Sequence, residues 1–77
     1  MTSLQQRFGR VLRRRREAGA LSQEALASRA GLHRNYVGLL ERGERMPSLL
    51  VVQRLAKALA TTMADLVGEL ERPANSP

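Results

Sequence analysis

Apolar residues recur along this chain at helical spacing, every three or four positions, and the strict apolar/polar alternation of a half-buried strand is missing. Gly and Ser/Thr punctuation falls between the apolar groups. Together they predict five short helices. The first covers about Leu4 to Ala18, with Leu4, Phe8, Val11 and Leu12 as its apolar stripe. Ser3 caps it, and Gln6 three residues on completes a capping box. The second follows Ser22 and runs to Ala30, with Leu26, Ala25 and Ala30 inward. Gly31 ends it as a left-handed residue, and Leu32 turns into the core. The third runs from about Arg34 to Arg42, with Val37 and Leu40 inward, and stops at Gly43. The fourth follows Pro47-Ser48 and carries Leu49, Val52, Leu55, Ala56 and Leu59. The fifth covers about Met63 to Leu70, capped by Thr62 with Asp65 three residues on as a second capping box. The pattern predicts one all-α, compact five-helix domain over residues 1–72. The polar, Pro-rich end, residues 73–77, is expected to be a disordered tail.

Composition narrows what such a domain does. The chain has 77 residues, near the lower limit for folding on one core without a staple. It has no Cys and one His, which removes disulfides, thiolate metal sites and thiol nucleophiles, and a lone His makes no metal site. No apolar run reaches the ~20 residues of a membrane span. With no phosphate-cradling Gly loop and too little chain for a closed cleft, an enzyme is not expected, and no cofactor is called for. Lys and Arg number 13 against 7 acidic residues, giving a net charge of +6, and all but one of the 13 are Arg. Arg carries the planar fork that fits phosphates and guanine edges. A small, strongly basic domain points first to nucleic acid and second to an anionic surface. Only Phe8 and Tyr36 are aromatic, too few for base stacking on single-stranded RNA, which favours duplex DNA.

The stretch LSQEALASRAGLHRNYVGLLERGERMPSLLVVQRLAKAL then joins these threads. It contains L-S-Q-E-x-L-A at Leu21 to Ala27, the turn A-G-L at Ala30 to Leu32, and Y-V-x-x-L-E-R-G at Tyr36 to Gly43. P-S-L at Pro47 to Leu49 and L-A-K-A-L at Leu55 to Leu59 complete it. Five elements in this order closely resemble the lambda-repressor/Cro-like (XRE) helix-turn-helix family. His33 to Val37 with Glu41-Arg42 also resembles the controller proteins of restriction–modification systems within it.

The resemblance implies that the third helix enters the major groove by its N-terminal end. His33, Arg34, Asn35 and Leu39 become candidate base readers: Arg34 as a fork to guanine, Asn35 to adenine, Leu39 to a thymine methyl. Gly38 is expected to leave room for the DNA. Gln23 matches the family's phosphate-contacting Gln, and Tyr36, Arg42 and Arg45 are candidate backbone contacts. Arg16 and Glu41 occupy the family's ion-pair positions. In the run Arg13 to Arg16, Arg15 stands where many relatives place Leu, so its stem is expected at the core edge. Arg10 and Arg13 are expected to add diffuse attraction to DNA.

One such domain reads half a site, so a homodimer is expected. Leu50, Val51, Met63, Val67 and Leu70 form its candidate interface, while Leu66 closes the core. The leading function is a cytoplasmic, nucleoid-associated bacterial or phage transcriptional regulator on an inverted repeat of double-stranded DNA, acting as repressor or activator. The alternative is an antitoxin or other protein-interaction module on the same fold, with helices four and five binding a different chain.

Overall fold

The computed structural model describes residues 2–72; the tail expected at 73–77 lies outside the described residues. Five α-helices appear, α1 Leu4–Ala18, α2 Gln23–Ala30, α3 Arg34–Glu41, α4 Leu49–Ala58 and α5 Met63–Gly68, followed by a 3-10 turn at Glu69–Glu71. Strands are absent among the described residues.

Local chemistry sets these boundaries. The Ser3 hydroxyl accepts from the Gln6 backbone N–H at 3.1 Å, and the Gln6 side-chain oxygen accepts from the Ser3 N–H at 3.0 Å. This box satisfies two donors that the first turn of α1 leaves free. Ser22, Ser48 and Thr62 accept from the N–H groups of Ala25, Val51 and Asp65. Among the described residues the reciprocal bond from Thr62 to the Asp65 carboxylate is absent, so the second capping box is only half made. Asp is one methylene shorter than the Glu or Gln that such a box uses. Gly31 ends α2 at φ +69°, and the Leu32 N–H closes the turn onto the Ala27 carbonyl at 2.8 Å. Gly43, at φ +74°, turns the chain out of α3, whose last helical residue is Glu41 rather than Arg42.

The core draws on every helix. Phe8, Val11 and Leu12 meet Leu26, Ala27, Ala30, Val37, Leu40, Val52, Leu55, Ala56, Leu66 and Leu70. Leu12, Leu26, Leu40, Leu55, Leu66 and Val37 are completely enclosed. Ala25 and Leu59, expected inward, are only half-buried, and two residues of the expected stripes are exposed. Leu4 is 45% exposed and Leu49 is 76% exposed. Each is the first residue of its helix, and a helical Cα–Cβ bond tilts toward the N-terminus. Their side chains therefore lean out beyond the elements that cover the rest of the stripe.

Tight approach between α1 and α3 depends on Gly9. A Cβ at Gly9 would lie 2.5 Å from the Glu41 carbonyl oxygen and 2.6 Å from that of Leu40. No side chain fits there, so glycine lets the two backbones touch.

The C-terminal turn is clamped to α1. Arg7 Nη1 donates to the Leu70 carbonyl at 3.3 Å. Glu69, nearly buried, is bonded by Arg15 Nε and by Arg14 Nη2 at 3.2 Å. Burial opposes ionisation of Glu69, but the hydrogen bonds and charges of Arg15 and Arg14 outweigh it and hold the carboxyl below its ordinary range. Arg15 thus lies at the core edge as its sequence context suggested, with a carboxylate for its head group.

Leu70 corrects the expected dimer patch. It lies in the core, 9% exposed, because the 3-10 turn folds it against α1. It is not part of any surface.

Candidate nucleic-acid interface

The α2 and α3 helices, joined by the Gly31 turn, form a helix-turn-helix. His33 holds the N-cap position of α3 with extended backbone, φ −76° and ψ 140°, and its side chain makes no capping bond. His33, Arg34 and Asn35 are all exposed. Val37 and Leu40 point the other way and are fully enclosed. Positions 34, 35, 38, 39 and 42 follow one face of the helix at i, i+1, i+4, i+5 and i+8. The exposed start of α3 therefore carries polar groups that the fold itself does not use.

Arg34 has one loose partner. Its Nη1 stands 3.9 Å from Glu24 Oε2, and both side chains are mostly in solvent. An exposed pair of this kind is worth about 0–1 kcal/mol and gives way readily to a stronger acceptor. A shallow groove lined by Arg16, Ser22, Gln23, Glu24 and Arg34 opens between the starts of α2 and α3. Tyr36 is half-buried and packs against the core. Leu39 is half-buried too, so it offers less surface than an outward position implies. Arg45 is exposed in the loop before α4, with no ion-pair partner among the described residues.

Beneath this face lies a part-buried polar knot. Arg16 Nε and Nη2 donate to the two Glu41 carboxylate oxygens at 2.6 and 3.0 Å, and Arg16 Nη1 donates to the Leu21 carbonyl at 2.9 Å. Gln23 Nε2 donates to Glu41 Oε1 at 3.1 Å. The Glu41 hydrogen bond raises the Arg16 guanidinium pKa further above its ordinary value, against the opposing effect of burial. Bidentate geometry suits Arg and no other cation. The knot joins α1, the start of α2 and the end of α3, so the two helices of the motif keep a fixed relation.

Gly38 departs from expectation. The space above it is not open to DNA: a Cβ there would lie 3.0 Å from Arg42 Nη1. The Arg42 guanidinium already covers that backbone, and Arg42 Nε also bonds the exposed Glu44. Arg13 is paired with Glu17 one turn on, while Arg10 is exposed.

On α4 and α5, Leu50 is 56% and Val67 39% exposed. Val51 and Met63 are half-buried and packed on the core. Sequence reasoning passed over Gly9 and Glu69. A Gly inside an amphipathic helix was the available sign for the first. Glu69 had none, since its partners stand more than 50 residues away.

No helix among the described residues is long and apolar enough to cross a membrane, and no acidic, His or Cys cluster could hold a metal ion. A helix-turn-helix family model matches residues 12–66. The chain is similar to the control protein C.MunI of a Mycoplasma species, 33% identical over 94% of this chain and 99% of that one. It is also similar to the control protein C.SmaI of Serratia marcescens, 48% identical over 68% of this chain and 62% of that one. Among solved structures, the restriction-modification controller protein C.AhdI from Aeromonas hydrophila superposes with a TM-score of 0.79 at 47% identity, over 80% of this chain and 94% of that one. With the motif's geometry and these likenesses together, the chain belongs to the lambda-repressor/Cro-like helix-turn-helix family of DNA-binding transcriptional regulators.

Proposed function

We propose that the protein is a homodimeric regulator that reads an inverted-repeat operator, each α3 lying in a major groove. One observation carries this reading. The first turn of α3 exposes His33, Arg34 and Asn35 together, while the far end of the same helix is locked by the Arg16–Glu41–Gln23 knot. In this arrangement Arg34 reads guanine, Asn35 adenine, and His33 and Leu39 the flanking edges. Gln23, Tyr36, Arg42 and Arg45 hold the phosphate backbone, which fixes register without reading sequence.

The net charge of +6 supports the electrostatic part of binding. Dimerisation uses the exposed Leu50 and Val67 with the flanking Val51 and Met63. Leu70 does not take part. The protein works in the cytoplasm, and its named relatives make the control of restriction–modification genes the first setting to examine.

Selection from a randomised duplex pool at about physiological salt tests this. The expected outcome is an inverted repeat with half-sites about one helical turn apart. Salt-sensitive binding to any duplex without enrichment would overturn the regulator reading and leave a protein-interaction module in its place.

A further inference from the structure

Arg42, the C-cap of α3, stands one helical turn after Gly38. Long helical side chains lean toward the N-terminus, so Arg42 reaches back over position 38. A Cβ at Gly38 would lie 3.0 Å from Arg42 Nη1, 3.9 Å from Arg42 Cζ and 3.8 Å from Gln23 Oε1. The guanidinium thus rests on bare backbone, and the Gln23 side-chain oxygen, an acceptor, comes near the same spot from α2. Glu41 fixes that amide by accepting from its Nε2 at 3.1 Å. Among the described residues Arg42 itself is held only by Glu44, an exposed pair with side chains 60% and 53% accessible. A phosphate can displace such a carboxylate at little cost.

We propose that Gly38 is a positioning residue for one phosphate of bound DNA. Its missing side chain lets the Arg42 guanidinium fold back over the helix, beside the Gln23 side-chain oxygen, so that the Arg42 N–H donors are held in place for that phosphate. This rests on the DNA-binding reading above. It replaces direct approach of DNA to the Gly38 backbone with an effect transmitted through Arg42. A guanidinium held in one orientation is more directional toward a phosphate than a free surface Arg.

The test compares wild type, Gly38→Ala, Arg42→Ala and the double variant. Binding is measured to a short random-sequence duplex and to the duplex enriched by selection, over a series of salt concentrations, with thermal unfolding alongside. Gly38→Ala should melt at or above the wild-type temperature, because Ala favours helix and the atom it meets is the end of a flexible side chain. Its affinity for both duplexes should fall about tenfold, and the slope of log affinity against log salt should drop by about one per protomer. Arg42→Ala should show the same loss, and the double variant should be no worse than Arg42→Ala. Equal affinity and slope for Gly38→Ala and wild type would overturn the proposal. So would a loss that persists undiminished in the Arg42→Ala background, which would mean that the methyl meets DNA directly. A lowered melting temperature for Gly38→Ala would make its role structural. If wild type itself binds neither duplex in a salt-dependent way, the DNA-binding reading fails, and that failure is visible without any variant.

Discussion

Replacing Gly9 with Ala sets two effects of opposite sign against each other. Gly9 lies in the middle of α1, where Ala is favoured over Gly by about 1 kcal/mol. Propensity alone predicts a more stable protein. The structure predicts the reverse. The new methyl would stand 2.5 Å from the Glu41 carbonyl oxygen and 2.6 Å from that of Leu40. A relaxed carbon–oxygen contact needs about 3.3 Å, so α1 and α3 must part by roughly 0.8 Å, enough to forfeit a quarter to a half of the dispersion energy of each contact affected. Both obstructing atoms are backbone, and no change of rotamer relieves them. Overpacking costs about 1–3 kcal/mol where side chains can adjust. Taking the upper end and subtracting the propensity gain leaves a net loss of about 2 kcal/mol. A domain of this size has roughly 4–12 kcal/mol in all, and the loss should lower its melting temperature by about 10 °C. Gly68 supplies the control. It has helical φ and ψ, and a Cβ there meets nothing within 4 Å. Gly68→Ala should therefore raise stability by about 0.5 kcal/mol. Urea or thermal unfolding of the two variants gives both signs in one experiment. A Gly9→Ala protein at least as stable as wild type would refute the argument from close approach.

Other outcomes follow from the same geometry. Arg34→Ala should cost about 1–3 kcal/mol on the selected duplex and relax preference at one base pair while leaving random DNA nearly unaffected; equal losses on both would remove its base-reading role. Glu41→Ala strands Arg16, whose side chain is only 11% accessible, and should cost about 3–5 kcal/mol, whereas joint Arg16→Met and Glu41→Leu should recover most of it in chemical denaturation. Leu50→Asp should yield a folded monomer by sedimentation, and an unchanged dimer would move the interface elsewhere. Glu69 has a folded-state carboxyl pKa lowered from 4.5, so its contribution is present above that value and is lost as pH falls through the folded pKa. Glu69→Gln should accordingly be less stable than wild type at neutral pH, with the gap closing in acid below 4.5; a gap that stays constant would show that its charge is not what matters.

Much of this fold was legible because its boundaries are written locally. Ser3, Ser22, Ser48 and Thr62 each cap the helix that follows them, and Gly31 and Gly43 each turn the chain by a positive φ. These signals need only three or four neighbouring residues. The features that escaped depend on distant ones. Whether Leu70 faces solvent is decided by a 3-10 turn that docks on α1, and periodicity assumes a continuous α-helix there. Leu49 kept the period of its stripe, yet lies past the end of what covers it. Gly38 read as an opening for DNA because sequence shows an absent side chain but not the guanidinium that fills the gap. The Arg16–Glu41 pairing followed from family resemblance and not from spacing, since 25 residues separate the partners.

The polar cluster at the start of α3 has a physical condition attached. A helix of eight residues is too short to hold itself in water, so it must be fixed by its surroundings. In α3 that fixing is concentrated toward the C-terminal end. The Leu40 and Glu41 carbonyls bear on the gap left by Gly9, and the Glu41 side chain ties Arg16 and Gln23. Val37 and Leu40 supply the apolar anchor. Because these contacts carry the stability, His33, Arg34 and Asn35 are left exposed, and His33 need not even cap its helix. Substitutions at 33–35 should then change which DNA is bound at little cost in folding, whereas those at 9, 16 or 41 should unfold the domain before they alter its preference. Under the proposed reading, separation of the two roles along one short helix lets a small core present an edge to DNA that folding does not constrain.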